Sequence, residues 1–497
     1  MRRSKKLFAL AAASALVIAA CGDDDGGSSD TTEVSETTAA EETTETSEAD
    51  EMSDEETTET SEADDMSEDD DMSEDDGSAD DEEAVAEAAS FAVDTSVCED
   101  PDAATATIDG TIKIGTSIPL SGGPAVLFAP FGSGQQAYID YYNSEFGGVN
   151  GQELELIVKD DQYTADLTKA NSDELVFDDE VAVLGGVIGT PNNLAIQADL
   201  NAQCVPQLWA STGAPNWGAV DEFPWTTGLL VAYDIESAVW ANWIVDNLGE
   251  GSTVGLFYVN NEFGQSYVNA FNVAADELGL DIVAEEVIDP TDSGSPSGQM
   301  TNLVEANPDA ILAIPLGGQC TAFMLELGNA KAANPEFDPA VYQTATCANP
   351  IFYGPVDNGG ADGVFTSNNL KDVNNPDTAA NDPGAIAYLE AFAATGSDAD
   401  PGGIAVAGWE SMELTVYAIQ QAADAGELTR ETIINAARNI NHVSNLLRDG
   451  LTYRMNGEDG YIGEGAQILV WSEADQTFVE EGDIINLEGS LGIYSGS

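Results

Sequence analysis

Between Thr111 and Val231, short β-rich runs alternate with longer stretches of helical period. "TIKIGTSIPL" (111–120) predicts a strand that runs into a polar loop, and Gly132–Phe146 predicts a helix closed by Gly147 and Gly148. "ELELIVKDD" predicts the next strand, "TADLTKANSDELVF" the next helix, and the apolar "VAVLGGVI" a buried strand. Strands separated by helices of this length imply right-handed βαβ units on a parallel sheet. The pattern then restarts: "DIESAVWANWIVDNL" is helical, "TVGLFYVN" a strand and "SYVNAFNVAADELG" a helix, with "DIVAEEVI" and "DAILAIPL" as further strands. The fold expected is α/β, with two Rossmann-like lobes and parallel sheets. "ADGVFTSNNL" is expected to return to lobe one and "GYIGEGAQILVWSEADQTF" to lobe two. Lobe one is then about 106–231 with 363–450, and lobe two about 232–362 with 451–497.

The first hundred residues follow a different rule. "MRRSKK" precedes "LFALAAASALVIAA", an apolar run too short to span a bilayer comfortably, which is the pattern of a secretory signal. Small residues before Cys21 resemble the lipobox of bacterial lipoproteins, in which the signal (1–21) is cut and Cys21 is lipidated. From Gly22 to Ser90 the chain has 31 acids and no Lys or Arg, and it repeats itself, "TTETSEADEMS" returning as "TTETSEADDMS". Too little apolar surface is present to offset the entropy of ordering, so an acidic, disordered linker is expected over 22–105. About 70 extended residues at ~3.3 Å each reach ~230 Å at most, enough to hold a domain away from a lipid anchor.

Of the 91 acids in the chain, 60 lie beyond Ser90, against nine bases. That charge excludes nucleic acid as a partner. About 400 residues is long for one domain and comfortable for two. With Cys21 taken by lipid, Cys98, Cys204, Cys320 and Cys347 remain, an even number that reads as two disulfides outside the cytosol. Four cysteines allow three pairings, between which the sequence does not decide; Cys98–Cys204 with Cys320–Cys347 is preferred because the second pair is close in sequence. There is no CxxC pair, so no zinc site is expected, and no other metal or cofactor.

One stretch carries chemistry. In "VLGGVIGTPNN" (183–193) an apolar strand ends at Gly189. Thr190 has the hydroxyl favoured at a helix N-cap, Pro191 suits the first helical position, and Asn192 and Asn193 follow with free backbone N–H groups. A helix start at the carboxyl edge of a sheet makes a small anion site, suited to a carboxylate or another polar acceptor. Phosphate readings fail: there is no P-loop, and "GGVIG" does not match Gly-x-Gly-x-x-Gly.

Around these residues the chain resembles the type I periplasmic solute-binding proteins of ABC importers, the leucine/isoleucine/valine-binding family. The resemblance runs from about Thr111 to Phe478 through "IKIGTSIPLSGGPA", "YYNSEFGGVNGQELELIVKDDQ", "VLGGVIGTPNNLAIQADLN", "VPQLWASTGAP" and "LFYVNNEFGQSYVNAF". It implies two lobes joined by three hinge strands, with a small-molecule ligand trapped between them. It also implies a carboxylate held by Thr190, Pro191 and Asn192 and by Ser211, Thr212 and Gly213. Phe128 is the best match for an aromatic of the N-terminal loop, Phe263 for one that closes over the ligand. Tyr233 lies beside the first crossover, and Gln319 and Thr346 fall near the remaining contact positions. Amino-acid binders of the family place an acid in lobe two for the ligand's ammonium; "YQTATCANP" offers none at the matching place.

The expected function is that of an extracytoplasmic lipoprotein, a monomer, delivering a small polar solute to an ABC permease. A sensory module feeding a separate signalling partner is the alternative. An enzyme is disfavoured: the one histidine, His442, lies in the loop-like "NINHVSN", and no Gly-x-Ser-x-Gly elbow occurs. Asp160 and Asp161 end a strand and are read as structural. Trp409, Met412, Leu414 and Val416 are read as lobe-one core.

Overall fold

The computed structural model describes residues 91–457 and 459–488. The signal, Cys21 and the linker as far as residue 90 lie outside the described residues. Five parallel strands form the first sheet: β1 (Ile112–Ile118), β2 (Leu154–Asp160), β3 (Val183–Gly185), β4 (Gln207–Ala210) and β5 (Thr226–Gly228), in the order β2-β1-β3-β4-β5. The second sheet begins with the parallel set β6 (Thr253–Val259), β7 (Asp281–Ile288), β8 (Ala310–Ile314), β9 (Ala340–Gln343) and β10 (Phe365–Asn368). A small ribbon, β11 (Asn441–His442) with β12 (Tyr453–Arg454), intervenes before β13 (Gly465–Ser472) and β14 (Thr477–Asn486). β13 runs antiparallel to β10, and β14 antiparallel to β13, which gives the order β14-β13-β10-β9-β8-β6-β7.

Each sheet buries its own apolar residues, because parallel strands are covered by helices on both faces. Lobe one packs Ile112, Ile114 and Val183 against Met412, Val416 and Ile419 of the helix Ile404–Ala425. On the other face, Leu184 and Val187 pack on Leu175, Ile196 and Leu200. Lobe two centres on Leu256, Phe257, Leu312, Phe323 and Trp471.

The structure moves several expected boundaries. The helix predicted from Gly132 begins at Ala125, despite Pro130 inside it. Glycines on the two long helices serve packing. A Cβ on Gly134 would lie 1.9 Å from the Ala405 carbonyl oxygen, and one on Gly408 2.0 Å from that of Phe131. The two long helices therefore touch backbone to backbone, and only glycine fits there. Strand β10 belongs to the lobe-two sheet, so the return to lobe one comes at about Asn369, later than the expected 363. Leu451, Tyr453, Met455 and Ile462 belong to the lobe-one core, so the last crossing comes near Gly463 and not at 451. Residues 91–105 are no linker: Val93 donates to Asn435, and Cys98 is bonded to Cys204. The second disulfide is Cys320–Cys347, so each lobe carries one staple. His442 is half-buried, 2.6 Å from Glu413 and against the Tyr417 ring, and is not a free surface residue.

Candidate functional site

The carboxyl ends of the parallel strands of both lobes converge on one cavity of about 140 Å³. Its wall takes Tyr163 from the loop after β2, Thr190 after β3, Ser211 and Thr212 after β4, Phe263 after β6, Thr346 after β9, and Asn368–Leu370 where β10 ends. This is where open α/β sheets bind ligands: side chains there need not complete a core. The lobes meet around the cavity, since Leu127 and Leu194 of lobe one pack on the lobe-two core.

On the lobe-one side, β3 gives way to the helix Thr190–Ala202. Gly189, with φ +97°, is its N-cap, so Thr190 occupies the first helical position and Pro191 the second, one step later than the sequence suggested. A glycine cap has no side chain to satisfy the first-turn N–H groups. The Asn193 amide donates to the Gly189 carbonyl at 3.0 Å, and the Thr190 and Asn192 amides find no backbone acceptor among the described residues. The Thr190 hydroxyl is 2.6 Å from that of Thr212, which is 3.1 Å from the Tyr233 phenol. Gly213 accepts the Tyr233 amide at 2.7 Å.

Tyr163 reaches the cavity through unusual backbone. Gln162 and Tyr163 both have positive φ, +53° and +60°. Asp160 and Asp161 hold them there by accepting the two amides at 3.1 and 2.9 Å. Non-glycine residues in this region cost about 1 kcal/mol or more each and persist only where neighbours over-determine them. The Tyr163 ring lies parallel to Phe128, 5.4 Å between centroids.

The lobe-two side is aromatic and acidic. Phe263 meets Tyr233 and Tyr267 edge-on, at 5.5 Å each, and those two rings stack at 4.0 Å. Behind them Glu236 projects from the helix Tyr233–Leu248 and reaches the wall. Its carboxylate accepts from the Tyr342 hydroxyl and the Ala345 amide, both at 2.7 Å, from the Tyr267 hydroxyl, and from Ser367 at 3.5 Å. Burial raises its pKa, and the hydrogen bonds pull in the opposite direction. Among the described residues the wall holds no Lys, Arg or His.

Family comparison agrees with this geometry. The model of the periplasmic binding protein family matches residues 111–475. The chain belongs to that family. No curated protein sequence matches it. Among solved structures it is similar to the "fatty acid ABC transporter substrate-binding protein" of Thermomonospora curvata, at 22% identity and TM-score 0.65, covering 76% of this chain and 93% of that one. A branched-chain amino acid ABC transporter protein from Thermus thermophilus, with bound valine, is 18% identical at TM-score 0.65, covering 76% and 97%. A solute-binding protein of an ABC transporter from Rhodopseudomonas palustris, in complex with 3,4-dihydroxy benzoic acid, is 20% identical at TM-score 0.63, covering 76% and 98%. Periplasmic binding proteins bind solutes outside the cytoplasm and are not enzymes, and two disulfides suit that setting.

For this periplasmic binding protein, the cavity gathers Phe128, Thr190, Ser211, Thr212, Tyr233, Phe263 and Thr346 from the residues singled out in the sequence. Pro191, Asn192 and Gly213 adjoin it without lining it. Gln319 is a correction. Its side-chain amide donates to the Asp289 and Asp292 carbonyls, 2.9 Å each, and its oxygen accepts the Leu316 amide, so it ties a loop and stays off the wall. Tyr163 and Glu236 were missed. "YQTATCANP" has no acid of its own, but the Glu236 carboxylate, from another helix, accepts the Ala345 amide there.

Proposed function

We propose that the protein captures a small polar solute between its lobes and delivers it to an ABC permease, while a lipid on Cys21 holds it at the outer face of the cell membrane. One observation carries the reading. The uncapped helix start at Thr190, with Ser211 beside it, faces a closed aromatic wall across a cavity of about 140 Å³. First-turn amides and the helix dipole attract a carboxylate or carbonyl oxygen, and the aromatic wall covers the apolar remainder. A cavity near 150 Å³ holds a molecule of roughly benzene size, which favours amino acids, amides and small organic acids over long acyl chains. Binding that favours the closed lobes stabilises them by its differential affinity.

A thermal-shift screen over amino acids, amides and small organic acids tests this. A true ligand at a hundred times its Kd adds about 2.7 kcal/mol and raises Tm by several degrees. A flat response across the whole panel would count against solute capture. Membrane release of a Cys21→Ser protein supports the anchor, and unchanged membrane attachment contradicts it.

A further inference from the structure

Glu236 is the one carboxylate on the cavity wall among the described residues, and no cation answers it there. Its Oε1 accepts from Tyr342, Ala345 and Ser367, and its Oε2 from Tyr267. A carboxylate offers about four lone-pair sites, so little acceptor capacity is left for a ligand. Its charge remains, in a setting where desolvation makes an unneutralised ion costly. Several other acceptors nearby are also engaged: the side-chain oxygens of Asn349 and Asn368 take the Ile351 and Leu370 amides, and the Thr344 and Thr346 hydroxyls pair with each other.

Resting on the solute-capture reading, we infer that the cavity selects a betaine-type zwitterion: its carboxylate lies at the Thr190 turn, and an N-alkylated ammonium sits among the aromatic rings within the field of Glu236. A primary ammonium leaves water with three N–H donors and finds few open acceptors here, and each donor left unpaired costs about 1–3 kcal/mol. An N-alkylated ammonium has no such donors to satisfy, or only one. Ring faces attract it by cation–π interaction, worth on the order of 0.5–2 kcal/mol. Net anions meet a wall with one negative charge and no positive one. Glu236 thus acts as a charge selector that needs no direct hydrogen bond to the ligand.

Calorimetric titration of the unaltered protein with glycine betaine, its isostere tert-butylacetate (a neutral carbon in place of the ammonium nitrogen), glycine and valine separates the terms. Glycine betaine is expected to bind at least about tenfold tighter than each of the others, a difference of about 1.4 kcal/mol. Glu236→Gln should remove most of the preference over tert-butylacetate, with circular dichroism showing that the variant is folded. Equal binding of tert-butylacetate, or tighter binding of valine, overturns the inference and leaves solute capture standing. If none of the four binds, the charge-selection inference fails by itself; solute capture fails only with the wider panel.

Discussion

The two walls of the cavity are built on different principles. The lobe-one wall is local: within one short turn the chain supplies Gly189 and Thr190, and the parallel neighbour β4 supplies Ser211 and Thr212. The lobe-two wall is an assembly. Glu236, Phe263 with Tyr267, and Tyr342 with Ala345 come from three separate segments of the chain, tied together by ring contacts and one shared carboxylate. A local wall can be changed by one substitution without disturbing its lobe. In the assembled wall, binding and stability are coupled, because the residues that face the ligand also hold one another.

The largest expected contrast lies in the staples. Breaking Cys98–Cys204 opens a loop of 106 residues and breaking Cys320–Cys347 one of 27. Chain entropy gives losses of about 4.8 and about 3.5 kcal/mol. Urea unfolding of the paired Cys→Ser variants measures both; a larger loss for the shorter loop would contradict the ordering. Next comes Thr190→Asp, which places a negative charge at the helix start. Like charges at an interface cost several kcal/mol, so affinity for a carboxylate ligand should fall by roughly a hundredfold or more. Circular dichroism should show the variant folded, since the change is confined to the local wall. Unchanged affinity would remove the carboxylate from that turn.

Acidity probes the assembled side. Burial raises the pKa of Asp234 to about 6, outweighing the Ile235 amide at 3.1 Å and a Tyr461 hydroxyl at 3.4 Å that pull it down. A carboxyl whose folded pKa exceeds its unfolded value binds protons preferentially in the folded state. Its contribution is therefore full below the unfolded value and is lost as pH rises through about 6. The burial-raised Glu236 pushes in the same direction. Unfolding free energy should fall between about pH 4 and pH 7 by on the order of 2–3 kcal/mol, and Asp234→Asn should flatten the slope. A slope of the opposite sign would refute the assignment. The smallest effect is expected from Tyr233→Phe, which removes one hydroxyl from the Thr190–Thr212 pair at a cost of about 1 kcal/mol.

The same division explains what the sequence revealed. The alternation of strands and helices showed both sheets, because each strand is covered by the helix beside it in the chain. The place of Thr190, Ser211 and Thr212 on the cavity wall was legible for the same reason: it follows from where a strand ends. Glu236 was hidden because 91 acids give no single one prominence, and its partners lie 31 to 131 residues away. Tyr163 depends on left-handed backbone that Asp160 and Asp161 impose after the strand has ended. Gln319 looked like a ligand contact by position, but carbonyls of the neighbouring loop claim it. The lobe boundaries slipped at 363 and 451 because a strand's length does not show which sheet it joins.

The central claim is that the Thr190 helix start grips the polar end of a solute held between the two walls. A crystal structure of the protein with the tightest solute from the binding screen tests it most directly. An oxygen of that solute should lie within hydrogen-bonding distance of the Thr190 amide and Ser211, with its apolar part against Phe128, Tyr163 and Phe263. A solute bound outside this cavity, or one whose polar end turns away from Thr190, would contradict it.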